Sequence, residues 1–526
     1  MEILNFINKI RNVLKFYFHN KNKFYNSSTK YKNIILLESF YYYPSLIAFS
    51  YIANVLKKKF DADIYAYEPR LKNKFSIIKE IFNLNNLIIN ILFKSFGVKK
   101  KIFPKLSLRD VKESQKYFKI IYNSIKNKND VLKIKIKGVY LGDLIYDEYL
   151  RHYLKPTIDI KSHSFREHLK KSLDLFFYWN SFIEENNVKS IIISHSVYLT
   201  SLPGRIGLNK NINVYNVGIS CTFRLSKKNY LRLSGFDNYK KDFQKFRNKK
   251  DLLKFSKKML EDKLYGRSNI GYVTEYNLGS SPFKKMKLIK NLNKKNKILV
   301  ASHCFTDAVH AYGDNLFIDF YSWMEFLGKL SLKLDYKWLI KIHPNQFDLN
   351  YKHLNNFVKK YNKFSLLDKN ISHNEIISKY NILCALTVYG SVSHEYPLFN
   401  IPVINASKNI PHKSFNFNIN PKTIKDYRKK ITKIKKINKN NNNNKEIYAY
   451  YYMRFLSDYH VIKNHYSISA KLGKEYNSPL IFNEWFKIFN NKYHQKKLND
   501  FKKFVNSNKF RMLSNNTKNE SEYIDI

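Results

Sequence analysis

Cysteine is nearly missing from this chain: three in 526 residues, at Cys221, Cys304 and Cys384. Scattered and without metal-ligand spacing, they argue against a disulfide framework and a cysteine-based zinc site, and they fit a reducing, cytoplasmic setting. Long apolar runs are missing too. No stretch reaches the ~18 uncharged apolar residues that a membrane span requires. Residues 1–28 hold Glu2, interspersed lysines and no small-residue cleavage site, unlike a secretory leader. Acidic side chains are the third shortage, 41 Asp and Glu against 94 Lys and Arg, for a formal net charge of +53.

Such a charge raises nucleic acid as a partner. Here, though, lysine is abundant together with Asn, Ile, Tyr and Phe, the set that AT-rich codons produce. The lysines are also spread along the chain rather than gathered into a stripe, so no nucleic-acid partner is expected. The charge suits smaller anionic company: nucleotide diphosphates, acidic sugars or an anionic leaflet.

The apolar fraction, 44%, is that of a globular protein, and the length asks for more than one domain. Residues 1–28 read as a basic amphipathic helix, with Ile3, Leu4, Ile7, Ile10, Leu14 and Phe18 at helical spacing. Packing on the main body and lying on a membrane surface both fit it. Residues 75–96 form a second apolar stretch, too interrupted by polar residues to span. Between 29 and 265, strands at 34–37, 62–67, 190–194 and 213–217 alternate with helices at 44–59 and 165–186. After a connection over 266–295 the rhythm resumes across 296–435. Strands there fall at 297–301, 337–342, 364–367, 382–387 and 402–405, with helices at 319–334, 350–361, 373–379 and 391–399. Alternation of this kind predicts an α/β fold of two doubly wound, Rossmann-like domains facing a cleft, with extra helices at both termini. Residues 446–504 are expected to be helical, the asparagine run at 438–444 a loop, and 505–526 a disordered tail.

Ligands of doubly wound sheets bind outside the carboxyl ends of the strands. Two polar clusters stand there in the second domain: Lys341-Ile342-His343-Pro344-Asn345, and Thr387 through Glu395. Gly390 permits close backbone approach, and Ser391 opens a helix whose amides and dipole suit a phosphate. His343 and Lys341 can add donors to the same anion, while Glu395 can accept from ribose hydroxyls. A turn at His343-Pro344 and a plain helix cap at Gly390-Ser391 are the duller alternatives.

The pair "KIHPN" (341–345) and "TVYGSVSHEYPLFNIPVINAS" (387–407) resembles bacterial capsular-polysaccharide and lipopolysaccharide glycosyltransferases of the GT-B type. The resemblance is firmest over 296–407. It is weaker at "KGVYLGDLIYDEYLR" (137–151) and "SHSVYLTSLPGRIGL" (194–208), and it names no sugar. It implies His343 and Ser391, with Thr387, as contacts to the donor's phosphate and Glu395 as a ribose contact. The partners implied are a nucleotide-sugar donor and a glycan or lipid-linked acceptor. The latter would make attachment to an anionic membrane surface useful. No cofactor and no metal are expected. His303, Asp307 and His310 match no familiar ligand spacing, and His303 reads as a donor or acceptor contact or as part of a structural loop.

An inverting transfer needs a general base from the first domain. Asp143 and Asp147 are the leading candidates and His195, at the end of an apolar strand, is the rival. Asp147 fits a salt bridge to Arg151 equally well, and a retaining reaction needs no such base. Asp61-Ala62-Asp63 has the form of a metal–nucleotide motif but precedes a strand after a lysine run and reads as a solvated turn. The remaining alternatives are an epimerase or hydrolase acting on the sugar nucleotide alone, a basic nucleic-acid or anionic-surface binding protein, and a non-catalytic assembly scaffold.

Overall fold

The computed structural model describes residues 2–24, 32–71, 83–218, 221–267, 283, 293–343, 348–436, 444–462 and 465–513. Asn345, most of the expected connection over 266–295, the asparagine run up to 443 and the tail beyond 513 lie outside the described residues. The chain divides into two units. The first takes in residues 1–146, 160–232 and 458–526, the second 147–159 and 233–457.

In the first unit the strands are β1 (Asn33–Glu38), β2 (Ala62–Tyr67), β3 (Val98–Ile102), the short hairpin β4 (Lys135–Ile136) and β5 (Val139–Tyr140), then β6 (Val188–Ile193), β7 (Asn213–Val217) and β8 (Thr222–Leu225). The main sheet runs β3-β2-β1-β6-β7-β8, parallel except for the β7–β8 edge. Its central strands read as unbroken apolar runs, Ile34 to Leu37 and Ile191 to Ile193, because both faces are covered. The helix Tyr43–Phe60 starts with Pro44 in its first turn and stops at Asp61, whose left-handed φ of 45° ends the helical path. Asp63, expected in a solvated turn, instead lies buried in β2 and pairs with Lys99 at 2.8 Å.

The helix Glu2–Phe24 packs on this unit by one face: Phe16 stacks on Phe482 at 4.0 Å and meets the edge of Trp485. Phe501 and Phe504, from the helix Asn491–Val505, join the same core. Residues 510–512 lie antiparallel along β8, where Arg224 donates to the Phe510 carbonyl and Met512 to that of Thr222.

The second unit is built on β9 (Asn293–Ala301), β10 (Lys337–Lys341), β11 (Phe364–Leu366), β12 (Tyr380–Thr387) and β13 (Val403–Asn405), in the order β11-β10-β9-β12-β13 and parallel throughout. Leu299, Leu339, Ala385, Val392, Tyr396 and Val403 form part of its core. Numbered along the chain within each sheet, both orders are 3-2-1-4-5, the first with one added antiparallel edge strand. That is the doubly wound arrangement. The first unit gives way to the second at 232/233 and not near 265. The helix Lys249–Leu264 buries Leu252, Met259 and Leu260 and sends Lys263 to a partner in the second unit.

Candidate functional site

In the second unit β9 lies between β10 and β12, so three loops leave adjacent strand ends. They are tied together. The Ser302 amide and hydroxyl both donate to the Lys341 carbonyl, at 3.0 and 3.2 Å, linking the ends of β9 and β10. His303 Nε2 accepts from the Val388 amide at 3.3 Å and from the Thr387 hydroxyl at 3.0 Å, linking β9 to β12. Thr387 Oγ1 in turn accepts from the Gly390 amide at 3.2 Å. Tyr389 closes the other side, donating to the carbonyls of Ala308 and Val309 and meeting the His303 ring edge-on at 4.9 Å. A Cβ at position 390 would stand 2.8 Å from Thr387 Oγ1, which explains the glycine.

Burial pushes the His303 imidazole down to about 3, and the neighbouring His343 adds to that. His303 is therefore a neutral acceptor that shapes the loop. His343 is also held below the usual range, first by burial, with Asp307 opposing and Lys341 reinforcing the shift. A neutral imidazole there carries one N–H and one lone pair. Lys341 is buried and donates to the Lys369 carbonyl at 2.9 Å.

Two expectations change at the β12 end. The helix predicted over 391–399 is a single α-turn, Val392–Glu395, continued as a 3₁₀ turn, Tyr396–Phe399. The amides of Ser393 and His394 already donate to Gly390 and Ser391, so the helix dipole offered to a phosphate is that of one turn only. Glu395 has no exposed surface. Its Oε1 pairs with Lys263 Nζ at 3.0 Å and its Oε2 accepts from Ser391 Oγ at 3.1 Å. Its carboxylate thus aims Ser391 and is not placed to meet a ribose. Thr387, also fully buried, organises the Gly390 turn.

The two aspartates predicted as bases are both engaged. Asp143 is buried in the first unit and takes both guanidinium nitrogens of Arg205, at 3.1 and 3.0 Å. The Arg205 guanidinium lies 4.1 Å over the Tyr230 ring. Gly142 lets that turn form, since a Cβ there would fall 2.3 Å from the Leu132 carbonyl oxygen. Asp147 belongs to the second unit and is buried; its carboxylate accepts from the His310 ring at 2.7 Å and from the His310 amide at 3.1 Å. His303 and His310 thus turn to different partners. Among the described residues no group of three or more His, Cys, Asp or Glu side chains stands together as a metal site would.

His195 is placed differently. It follows β6, and β1 and β6 are the central neighbours where the strand order of the first sheet reverses. Glu38 ends β1; its carboxyl accepts from the Ser194 amide at 2.6 Å and from the Ser194 hydroxyl at 2.8 Å. With its one proton directed at Glu38, Ser194 Oγ accepts from His195 Nδ1 at 2.8 Å. With Glu38 ionised, this arrangement puts the proton on Nδ1 and leaves the lone pair on Nε2, the tautomer of a general base. Burial raises the Glu38 carboxyl to about 7, against the two Ser194 hydrogen bonds that lower it; Glu68 raises it and Arg70 lowers it. The sequence reading did not single out Glu38, although a carboxylate that ends the run Ile34 to Leu37 was its visible signal.

No family model and no curated relative matches the chain. Among solved structures it is similar to the UDP-GlcNAc 2-epimerase of Methanocaldococcus jannaschii in complex with UDP-GlcNAc and UDP, at 13% identity over 80% of this chain and 98% of that one, with a TM-score of 0.23. It is similar to an O-GlcNAc transferase mutant of Thermobaculum terrenum, at 7% identity over 90% and 69%, TM-score 0.24. A glycosyltransferase of Rickettsia africae aligns at 10% identity over 91% and 100%, TM-score 0.22. At TM-scores this low the doubly wound assignment of both units rests on their own strand orders.

Proposed function

We propose that the chain is a nucleotide-sugar glycosyltransferase of the GT-B type that builds a capsule, lipopolysaccharide or related surface polysaccharide. The observation that supports this reading is the tying together of three strand-end loops in the second unit, at the edge of the sheet where doubly wound folds take their ligands. In this reading His343 and the main-chain amide of Ser391 contact the donor's phosphates, and Gly390 lets the backbone approach them. Lys341, His303, Thr387 and Glu395 hold those groups in place. His195, steered by Ser194 and Glu38, takes the proton of the acceptor hydroxyl as its oxygen attacks the anomeric carbon and the sugar–phosphate bond breaks. Hydrogen-bond donors of the second-unit loops stabilise the departing nucleotide.

A second reading has one observation in its favour. Glu38 and Glu68 lie close enough for one charge to oppose the other, and such paired carboxyl groups can move protons on a sugar nucleotide without an acceptor. Incubating the protein with UDP-, GDP- and CMP-sugars, with and without acceptor glycan, separates the two. The transferase reading expects sugar consumption that rises at least tenfold with acceptor and yields an extended glycan. Epimerised or hydrolysed donor at the same rate in both arms overturns it in favour of the second reading, and no turnover of any donor overturns both.

A further inference from the structure

The helix Glu2–Phe24 buries Asn12, Phe16, Asn20 and Phe24 against the first unit and turns a second apolar stripe outward. Leu4, Ile7, Ile10, Leu14 and Phe18 recur at three- and four-residue spacing and are 65, 54, 42, 49 and 58% exposed. The helix Leu84–Ser95 packs beside it, joined by the buried hydrogen bond from Asn20 to Ser95 at 2.9 Å. This helix does the same: Ile89, Leu92 and Phe93 face inward, while Leu84, Leu87 and Ile91 are 58, 47 and 42% exposed. Scattered exposed apolar side chains are ordinary, but two adjacent helices that each repeat them on the outer face form a patch that water covers poorly. The two helices that form it are basic, and Lys9 pairs with an acid, Glu475, at 2.8 Å. The first helix carries Lys9, Arg11, Lys15, Lys21 and Lys23 against Glu2 alone, and the second carries Lys94 and no acid.

We propose that this two-helix face is a docking surface for an anionic lipid bilayer. The apolar stripes enter the boundary between headgroups and acyl chains, and the basic side chains meet the headgroup phosphates. Apolar burial and attraction between basic residues and anionic lipid are the two contributions that hold interfacial helices on a membrane. A second copy of this chain is a poorer occupant, since it would bring the same excess of positive charge to the contact. No helix among the described residues is long and apolar enough to cross a bilayer, so attachment here is along the surface.

The test is flotation of the full chain with vesicles of phosphatidylcholine alone and of phosphatidylcholine with one-third phosphatidylglycerol. Binding at least tenfold stronger to the anionic vesicles is expected. The variant Ile7→Glu/Leu14→Glu should lose that binding tenfold or more with an unchanged Tm, because both side chains already stand in water. Three results would overturn the proposal: no flotation of the wild type, equal flotation of the variant, or a wild-type dimer in sedimentation that this variant dissociates.

Discussion

Replacing His195 with alanine is expected to lower turnover by about two to four orders of magnitude, the usual contribution of a positioned general base. The Tm and the affinity for nucleotide should stay unchanged. The expectation follows from the tautomer that Ser194 imposes and from the reach of the alternatives: Asp143 is held bidentately by Arg205, and Asp147 by His310. Glu38 acts through Ser194, so Glu38→Gln should reduce turnover less and leave a signature in stability. A buried carboxyl raised from 4.5 to about 7 keeps its proton in the folded state while the unfolded chain has lost it. Its stabilising effect is therefore complete below pH 4.5 and is lost as the pH rises to 7, by about 3 kcal/mol at 1.36 kcal/mol per unit. Urea midpoints of wild type minus Glu38→Gln should fall over that window. A flat difference, or full activity in His195→Ala, would remove this chain of residues from the mechanism.

The second large effect belongs to stability. Lys263 and Glu395 are both without meaningful exposure and pair at 3.0 Å, with the ammonium also 5.3 Å over the Phe455 ring. Burial lowers the lysine's pKa and the Glu395 charge opposes that shift. Lys263→Met strands the carboxylate, a change that costs about 3–5 kcal/mol when one partner of a buried pair is removed. Lys263→Met/Glu395→Leu should recover most of the loss, since an apolar pair of similar volume is often as stable as the ionic one. Urea unfolding reports on this through Trp323 and Trp338, both buried in the second unit. Equal midpoints for Lys263→Met and wild type would show that the pair carries no such weight.

That pair also marks where sequence reading stops. Strand runs such as Ile34 to Leu37 and Ile382 to Leu386 announce themselves by local pattern, so the doubly wound sheets were legible except at the edges of the first, where the lysine-rich β3 and the short β8 carry no apolar run. His343 and Gly390-Ser391 were legible as polar clusters at strand ends, because strand order alone decides which loops become neighbours. Partners distant in sequence were not. Nothing near Glu395 points to Lys263, nothing near Asp143 to Arg205, and nothing near Phe16 to Phe482. Each is chosen by how the elements pack. Carboxylates that look available in the sequence therefore prove to be engaged, while Glu38, one residue beyond a strand core, gained its chemistry only from the neighbouring strand.

In the proposed transferase the strand-end loops of the second unit grip a phosphorylated ligand. Calorimetric titration of UDP, GDP and CMP into the wild type, His343→Ala and Gly390→Val tests it most directly. The valine would crowd Thr387 at 2.8 Å and displace the loop that carries Ser391. One nucleotide is expected to bind the wild type, and each variant should weaken that binding at least tenfold while remaining folded, with Gly390→Val showing a lowered Tm from the crowding. Equal affinity in all three proteins, or no binding of any nucleotide to the wild type, would contradict it.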